Sequence, residues 1–297
     1  MSFRHTVRSL VVVLVASILG LAFAWFAGSG ALPFAGFPAL FVCAAVAFGV
    51  NWLAFIPAAA FQSDRFYDTT GALTYLSVIA LAAVAAITAR GSLGPAALAV
   101  AGMVAAWTIR LGAFLFTRIH AAGGTDVRFE KIKVNPPRFL VAWTLQACWV
   151  IFTASAALVI ILSPEPRPLD GWFWAGAALW AIGFAFEVIA DEQKRRFRSN
   201  PANHGRFITT GLWAWSQHPN YFGEITLWAG ILVIALPQLA GTGWLVVFSP
   251  IFVALLLTKV SGINLLDAIA KKRWGKDPAW QAYVARTPVL FPRPPRA

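Results

Sequence analysis

Charge is scarce in this chain. Asp, Glu, Lys and Arg together make 12% of its 297 residues, about half the share of a soluble domain. Cysteine is scarcer still: Cys43 and Cys148 are the only two, which excludes a disulfide scaffold and a cysteine-built zinc cluster, so no metal is expected. Also missing are an internal repeat, a low-complexity linker, a second polar domain and the Gly-x-Gly-x-x-Gly turn of soluble dinucleotide-binding folds. What the chain has instead is apolar: 59% hydrophobic residues and a mean hydropathy of +0.69. Soluble and disordered chains are both excluded by these values. On a soluble domain the formal charge of +12 would suggest nucleic acid. Here no nucleic-acid partner is expected, and the question becomes which side of a bilayer holds the charge.

Runs of about 18–25 apolar residues suffice to cross ~30 Å of hydrocarbon. Eight are present, at 10–27, 38–61, 72–89, 94–116, 139–162, 171–190, 212–236 and 243–260. None alternates polar with apolar as barrel strands do, so each predicts a helix whose backbone bonds close within the segment. The expected fold is all-α: one polytopic integral membrane domain over 1–297, with the first helix and its outer loop at 10–37. Arg4 and Arg8 ahead of an apolar stretch, followed by Gly28-Ser29-Gly30-Ala31, also fit a signal peptide. The stretch is long for one, so a retained helix and eight spans are expected, against seven after cleavage. With the N-terminus inside, all of the 24 lysines and arginines except Arg90, Arg110 and Arg167 fall in inner segments. The positive-inside rule therefore predicts that both termini are cytoplasmic. Cys43 and Cys148 lie inside spans, as small packing residues do.

Polar chemistry concentrates at the inner ends of the helices. Arg110, Phe114 and Arg118 follow one another on one helix face, from within the fourth span to the inner loop. That loop holds Gly123-Gly124, Asp126 and Arg128, a basic turn suited to phosphate or to anionic lipid. Glu187, Asp191, Arg195 and Arg198 share a face at the end of the sixth span. Pairs such as Asp191–Arg195 would serve a solvated helix extension, which Ser199-Asn200-Pro201 stops. The densest segment is His218-Pro219-Asn220-Tyr221-Phe222-Gly223-Glu224. A helix starting at Pro219 would offer its free N–H groups to an anion, and Asn220 and Glu224 would share a face. After the last span come Asp267, Lys271-Lys272-Arg273-Trp274-Gly275-Lys276, Trp280 and Tyr283. These read equally as an interfacial segment or as the floor of a cofactor site.

On these residues the chain resembles a membrane superfamily that joins steroid 5α-reductases, sterol reductases and isoprenylcysteine carboxyl methyltransferases. The resemblance covers roughly residues 50–295 and is nearest to the bacterial 5α-reductase-like branch, which carries counterparts of Asp68, Arg110, Gly124, Asp126 and Arg128. It implies an enzyme of the bacterial inner membrane, with membrane lipids and a hydrophobic small molecule as partners. It also implies NADPH in a cavity open to the cytosol, held by Arg110, Glu187, Asp191, Arg195, Arg198, Arg206, His218, Asn220, Tyr221, Glu224 and Asp267.

Two departures stand out. Trp107 replaces the family's enone-polarising Tyr, and Gln62-Ser63-Asp64 stands where the family has Gln-Glu. Tyr67 and Asp68 are then the expected catalytic proton donors, with Tyr75 as a further candidate. The expected reaction is reduction of a C=C bond in an isoprenoid, sterol-like or other lipid substrate. The alternatives are methyl transfer from S-adenosylmethionine, which the same His-Pro motif also serves, and a non-catalytic lipid-binding or transport protein.

Overall fold

The computed structural model describes residues 3–121, 129–260 and 262–295. Eight helices in it are long and apolar enough to cross a membrane, so the chain is an all-α, multi-pass membrane protein. It divides into two compact units. Unit 1 is Met1–Phe173 with Ala235–Phe248, and unit 2 is Trp174–Ile234 with Ser249–Ala297.

Unit 1 is built on α1 (Phe3–Ala27), α2 (Ala39–Ala60), α3 (Tyr67–Arg90), α4 (Pro95–Ala121) and α5 (Pro136–Ile161). α5 is its centre. Its spanning window is 83% buried, against 22–39% for α1–α4, and all four of those helices pack on it. Asn135 caps its first turn, with the side chain accepting from the Arg138 N–H at 3.3 Å and Pro136 just inside. At the other end the Arg90 guanidinium donates to the Ser163 carbonyl and, at 3.2 Å, to that of Ile161. A cation on the last carbonyls answers the negative end of the helix dipole. Outward positions such as Leu14, Leu53 and Ile109 are 60–69% exposed, the expected surface of a lipid-facing helix. Cys43 and Cys148 are buried free thiols, and their sulfurs lie against the carbonyls of Val78 and Ala16.

Unit 2 holds most of α6 (Gly171–Ser199) and α7 (Pro219–Ala235), with α9 (Ile263–Trp274) and α10 (Pro278–Arg286). α6 and α7 meet backbone to backbone because glycines line the seam. Gly176 and Gly183 on α6 face Gly230 and Gly223 on α7, each pair seven residues apart. A Cβ on Gly223 would lie 2.6 Å from the Glu187 nitrogen, and one on Gly230 equally close to the Gly176 carbonyl oxygen. Small residues are how helices approach closely in lipid, where the hydrophobic effect does not press them together.

Three boundaries differ from the hydropathy reading. α6 runs on through its charged end to Ser199. The seventh helix starts at Pro219 rather than 212, since Gly211–Ala214 is a separate 3-10 turn. The last span is broken, with a 3-10 stretch over Gly241–Val247, then α8 (Phe248–Leu255), then a π turn over Leu256–Val260. Pro250 has no N–H to give, so the α-helix begins where that residue falls in its first turn.

Candidate functional site

The tight α6–α7 seam decides what stands at the inner end of unit 2. With Gly223 against the Glu187 backbone, the neighbouring side chains of the two helices are brought side by side. Asn220, one turn before Glu224, donates from Nδ2 to Asp191 Oδ1 at 3.2 Å. Glu187, Asp191 and Glu224 are 2%, 6% and 9% exposed. Three buried carboxylates in one unit demand hydrogen-bond donors or cations, because burying a lone charge is expensive.

The segment leading into α7 is fixed from both directions. Trp213 is buried, donates from Nε1 to the Ala190 carbonyl at 3.0 Å, and carries Lys194 Nζ 4.3 Å above its ring. Gln193 accepts from the Leu212 N–H at 2.9 Å. From the C-terminal side, the Tyr283 hydroxyl donates to the Trp213 carbonyl at 2.7 Å, and Trp274 donates to the Gly205 carbonyl at 2.7 Å. Ser216 and Gln217 bond the backbone of residues 284–290, and the Gln217 N–H meets the Pro288 carbonyl at 2.9 Å. The basic aromatic tail thus packs back on the segment before α7 within unit 2.

His218 lies at the junction. Its ring stacks on Tyr221 at 5.5 Å, and Nε2 is 3.2 Å from Asp267 Oδ1. Burial holds its pKa below the ordinary histidine value, opposed by the half-exposed Asp267 carboxylate and assisted by the Lys194 charge. The Tyr283 hydroxyl is pushed up by burial, so it remains a donor at any ordinary pH.

The expected anion site at the start of α7 is largely filled by the protein itself. Pro219 has no N–H, and those of Tyr221 and Phe222 both bond the His218 carbonyl, leaving at most that of Asn220. The exposed arginines are better placed for phosphate. Arg195 forks onto Glu192 at 2.6 and 2.7 Å, and Arg196 reaches the same carboxylate at 2.5 Å. The expected face pairing of Arg195 with Asp191 thus gives way to Glu192, which sits nearer the surface. Arg198 and Arg206 are also exposed.

The remaining candidates belong to unit 1. Arg110 lies over the Phe114 ring at 5.6 Å. The Tyr67 hydroxyl donates to the Ala142 carbonyl at 3.0 Å, and its ring packs on Phe129 and Trp143. Asp68 is ion-paired with Arg118 at 3.7 Å and lines a slot between α3, α4 and α5 together with Tyr75 and Trp107. Gly123-Gly124, Asp126 and Arg128 lie outside the described residues.

Sequence reasoning missed Thr108, Gln146 and Trp149, which line the same slot. A glutamine in the middle of a 26-residue apolar helix was the available signal. It also missed the glycine seam, although the repeated spacing of seven was readable.

Residues 54–287 match the family described as a protein of unknown function, DUF1295, a steroid 5α-reductase-like membrane family related to enzymes. An uncharacterized protein of Schizosaccharomyces pombe is 24% identical over 36% of this chain and 38% of its own length. A probable O-methyltransferase of Ustilaginoidea virens is 33% identical over 20% of this chain and 21% of its own length. The chain thus spans well under half the length of either relative. No solved structure matches.

Proposed function

As the chain belongs to the DUF1295 family, we propose that it is an NADPH-dependent membrane reductase acting on a C=C bond of a lipid-soluble substrate. The observation that carries this reading is the donor set of unit 2. Buried Glu187, Asp191 and Glu224, with partly buried Asn220 bonded to Asp191, supply the amide and carboxylate partners that ribose hydroxyls and a carboxamide need. Lys194, Arg195, Arg198 and Arg206 of the same unit supply cations for a pyrophosphate and a 2′-phosphate. The fit rests on these residue types and their burial.

NADPH, when bound, would supply the hydride for one carbon of the double bond. The other carbon would take a proton; of the two expected donors, the Tyr67 hydroxyl holds its proton on the Ala142 carbonyl and Asp68 is paired with Arg118. What the chain itself does is hold. The glycine seam fixes the carboxylates, Trp213 and Tyr283 fix the loop before α7, and Asp267 orients the His218 ring. The distribution of basic residues supports cytoplasmic termini, and the resemblance to the bacterial 5α-reductase-like branch supports a bacterial inner membrane.

Titration of the purified protein with NADPH is expected to change tryptophan fluorescence with micromolar affinity. Glu224→Gln and Arg198→Ala are each expected to weaken binding about tenfold or more. A second reading, methyl transfer from S-adenosylmethionine, is favoured by one observation, the match to the probable O-methyltransferase. Buried carboxylates also suit a sulfonium cation. Micromolar binding of S-adenosylmethionine with no response to NADPH would replace the first reading by the second.

A further inference from the structure

The tail that clasps the segment before α7 has its backbone turned inward and its side chains turned out. Carbonyls from Val284 to Leu290 accept from Ser216 and Gln217, and the Arg293 N–H donates to the Trp215 carbonyl at 2.9 Å. Exposure then alternates: Val289, Phe291 and Arg293 are exposed, while Pro288, Leu290 and Pro292 are half-buried. Phe291 is 70% exposed and Val289 47%. A phenyl ring held so far out on a segment pinned by this many hydrogen bonds is not a loose end. Its position tells what covers it.

Phe291 meets the Phe222 ring at 6.1 Å, and Phe222 lies in the first turn of α7, whose membrane span begins at Pro219. The tail therefore stands at the level where the chain enters hydrocarbon. Trp215, 38% exposed, stands beside it as tryptophan does at a bilayer interface. Charge completes the pattern. After Asp277 the sequence has no acidic residue and three arginines, Arg286, Arg293 and Arg296. Arg286 and Arg293 are exposed and, among the described residues, have no ion-pair partner. With Thr287, Val289 and Phe291 they line one open hollow of about 500 Å³, within the ~300–1,000 Å³ of small-ligand sites. A second copy of this chain would bring the same arginines face to face. A soluble anion would leave Phe291 in water. An anion that carries its own hydrocarbon meets both demands.

We infer that the hollow at residues 286–293 binds an anionic phospholipid, with Arg286 and Arg293 on the headgroup phosphate and Val289 and Phe291 against the acyl chains. The lipid ties to the bilayer the same clasp that fixes the loop around His218. The site lies within unit 2 and takes its lipid whichever cofactor that unit uses.

The test is native mass spectrometry of the purified full chain released from detergent micelles. It is titrated with dioctanoyl-phosphatidylglycerol, dioctanoyl-phosphatidylcholine or glycerol 1-phosphate. The first is expected to add one copy at micromolar concentration, with each of the others at least tenfold weaker. A basic residue near an anionic headgroup contributes about fivefold, so Arg286→Gln with Arg293→Gln is expected to weaken phosphatidylglycerol about twentyfold. Phe291→Ser is expected to weaken it about fivefold. These side chains are exposed, so the lipid-free Tm is expected to be unchanged. Arg286→Lys with Arg293→Lys keeps the charge and is expected to stay within about threefold of wild type. Arg4→Gln with Arg8→Gln removes as much charge from α1 and is expected to bind normally. Equal affinity for the two lipids would overturn the inference, and glycerol 1-phosphate bound as tightly as the lipid would make the occupant a soluble anion. Equal losses in the Arg4/Arg8 and Arg286/Arg293 glutamine variants would reduce the effect to bulk charge. A lysine variant as weak as the glutamine one would assign both arginines to the fold.

Discussion

The two units hold their helices together by different means. Unit 1 surrounds α5 with side chains: Phe139, Trp143, Tyr67 and Phe129 pack ring on ring at 4.6–6.0 Å. Rings also line the slot beside Gln146, where Tyr75 meets Trp107 and Trp149 edge to face. Unit 2 presses α6 on α7 with no side chain between the backbones at Gly183 and Gly223. Nothing there has slack, and the seam positions carboxylates rather than a void. The lesson is that polar groups are fixed most firmly where backbone meets backbone, whereas packing tolerates change where side chain meets side chain.

The sharpest way to break this contrast is to add the same side chain to each unit. Gly183→Leu drives a side chain into the Leu227 and Gly223 backbone, and is expected to cost about 3 kcal/mol or more and to abolish nucleotide binding. Gly102→Leu on α4 meets nothing within 4 Å and is expected to stay within about 0.5 kcal/mol of wild type. Denaturation in mixed micelles measures both, and equal losses would end the distinction. Next in size is Arg90→Met, which strips the last carbonyls of α5 of their cation and is expected to lose about 1–2 kcal/mol from unit 1 with nucleotide affinity unchanged. Trp213→Phe keeps the ring under Lys194 and loses one bond to the Ala190 carbonyl. About 1 kcal/mol is expected, together with weaker nucleotide binding.

The smallest expected effect is a pH dependence. Burial lowers the folded-state pKa of His218, so the unfolded chain takes up this proton first as the pH falls. Stability is unaffected by this group above about pH 6.5 and declines below it, down to the folded-state value. Tm between pH 7.5 and 5.5 is expected to fall less steeply in His218→Gln than in the wild type.

Much of the fold is legible because a bilayer imposes length and polarity on every span. The eight apolar runs all recur as helices, and Pro219 marks the start of α7 as proline in a first turn should. The break at 241–260 escapes a hydropathy average, which registers composition and ignores where a proline withholds a donor. In the site, His218 through Glu224, Asp191 and Asp267 share unit 2, while Arg110, Tyr67 and Asp68 belong to unit 1. A resemblance that runs unbroken from about residue 50 to 295 gives no sign of that division. Gln146 and Thr108 stay hidden in sequence because one amide or hydroxyl barely moves the mean over an apolar helix, although inside it each must find a partner.

The clasp formed by residues 284–293 on the segment before α7 sets an order of assembly. Ser216 waits for Val289 and Leu290, 73 and 74 positions downstream, and the Trp215 carbonyl waits for the Arg293 N–H. At synthesis rates of 5–20 residues per second, that is a delay of roughly 4–15 s. During it the acidic ends of α6 and α7 are already made, but the loop that fixes them is not. The loop around His218 is therefore among the last features to be fixed as the chain is made, and the nucleotide binding proposed for unit 2 would wait for the tail.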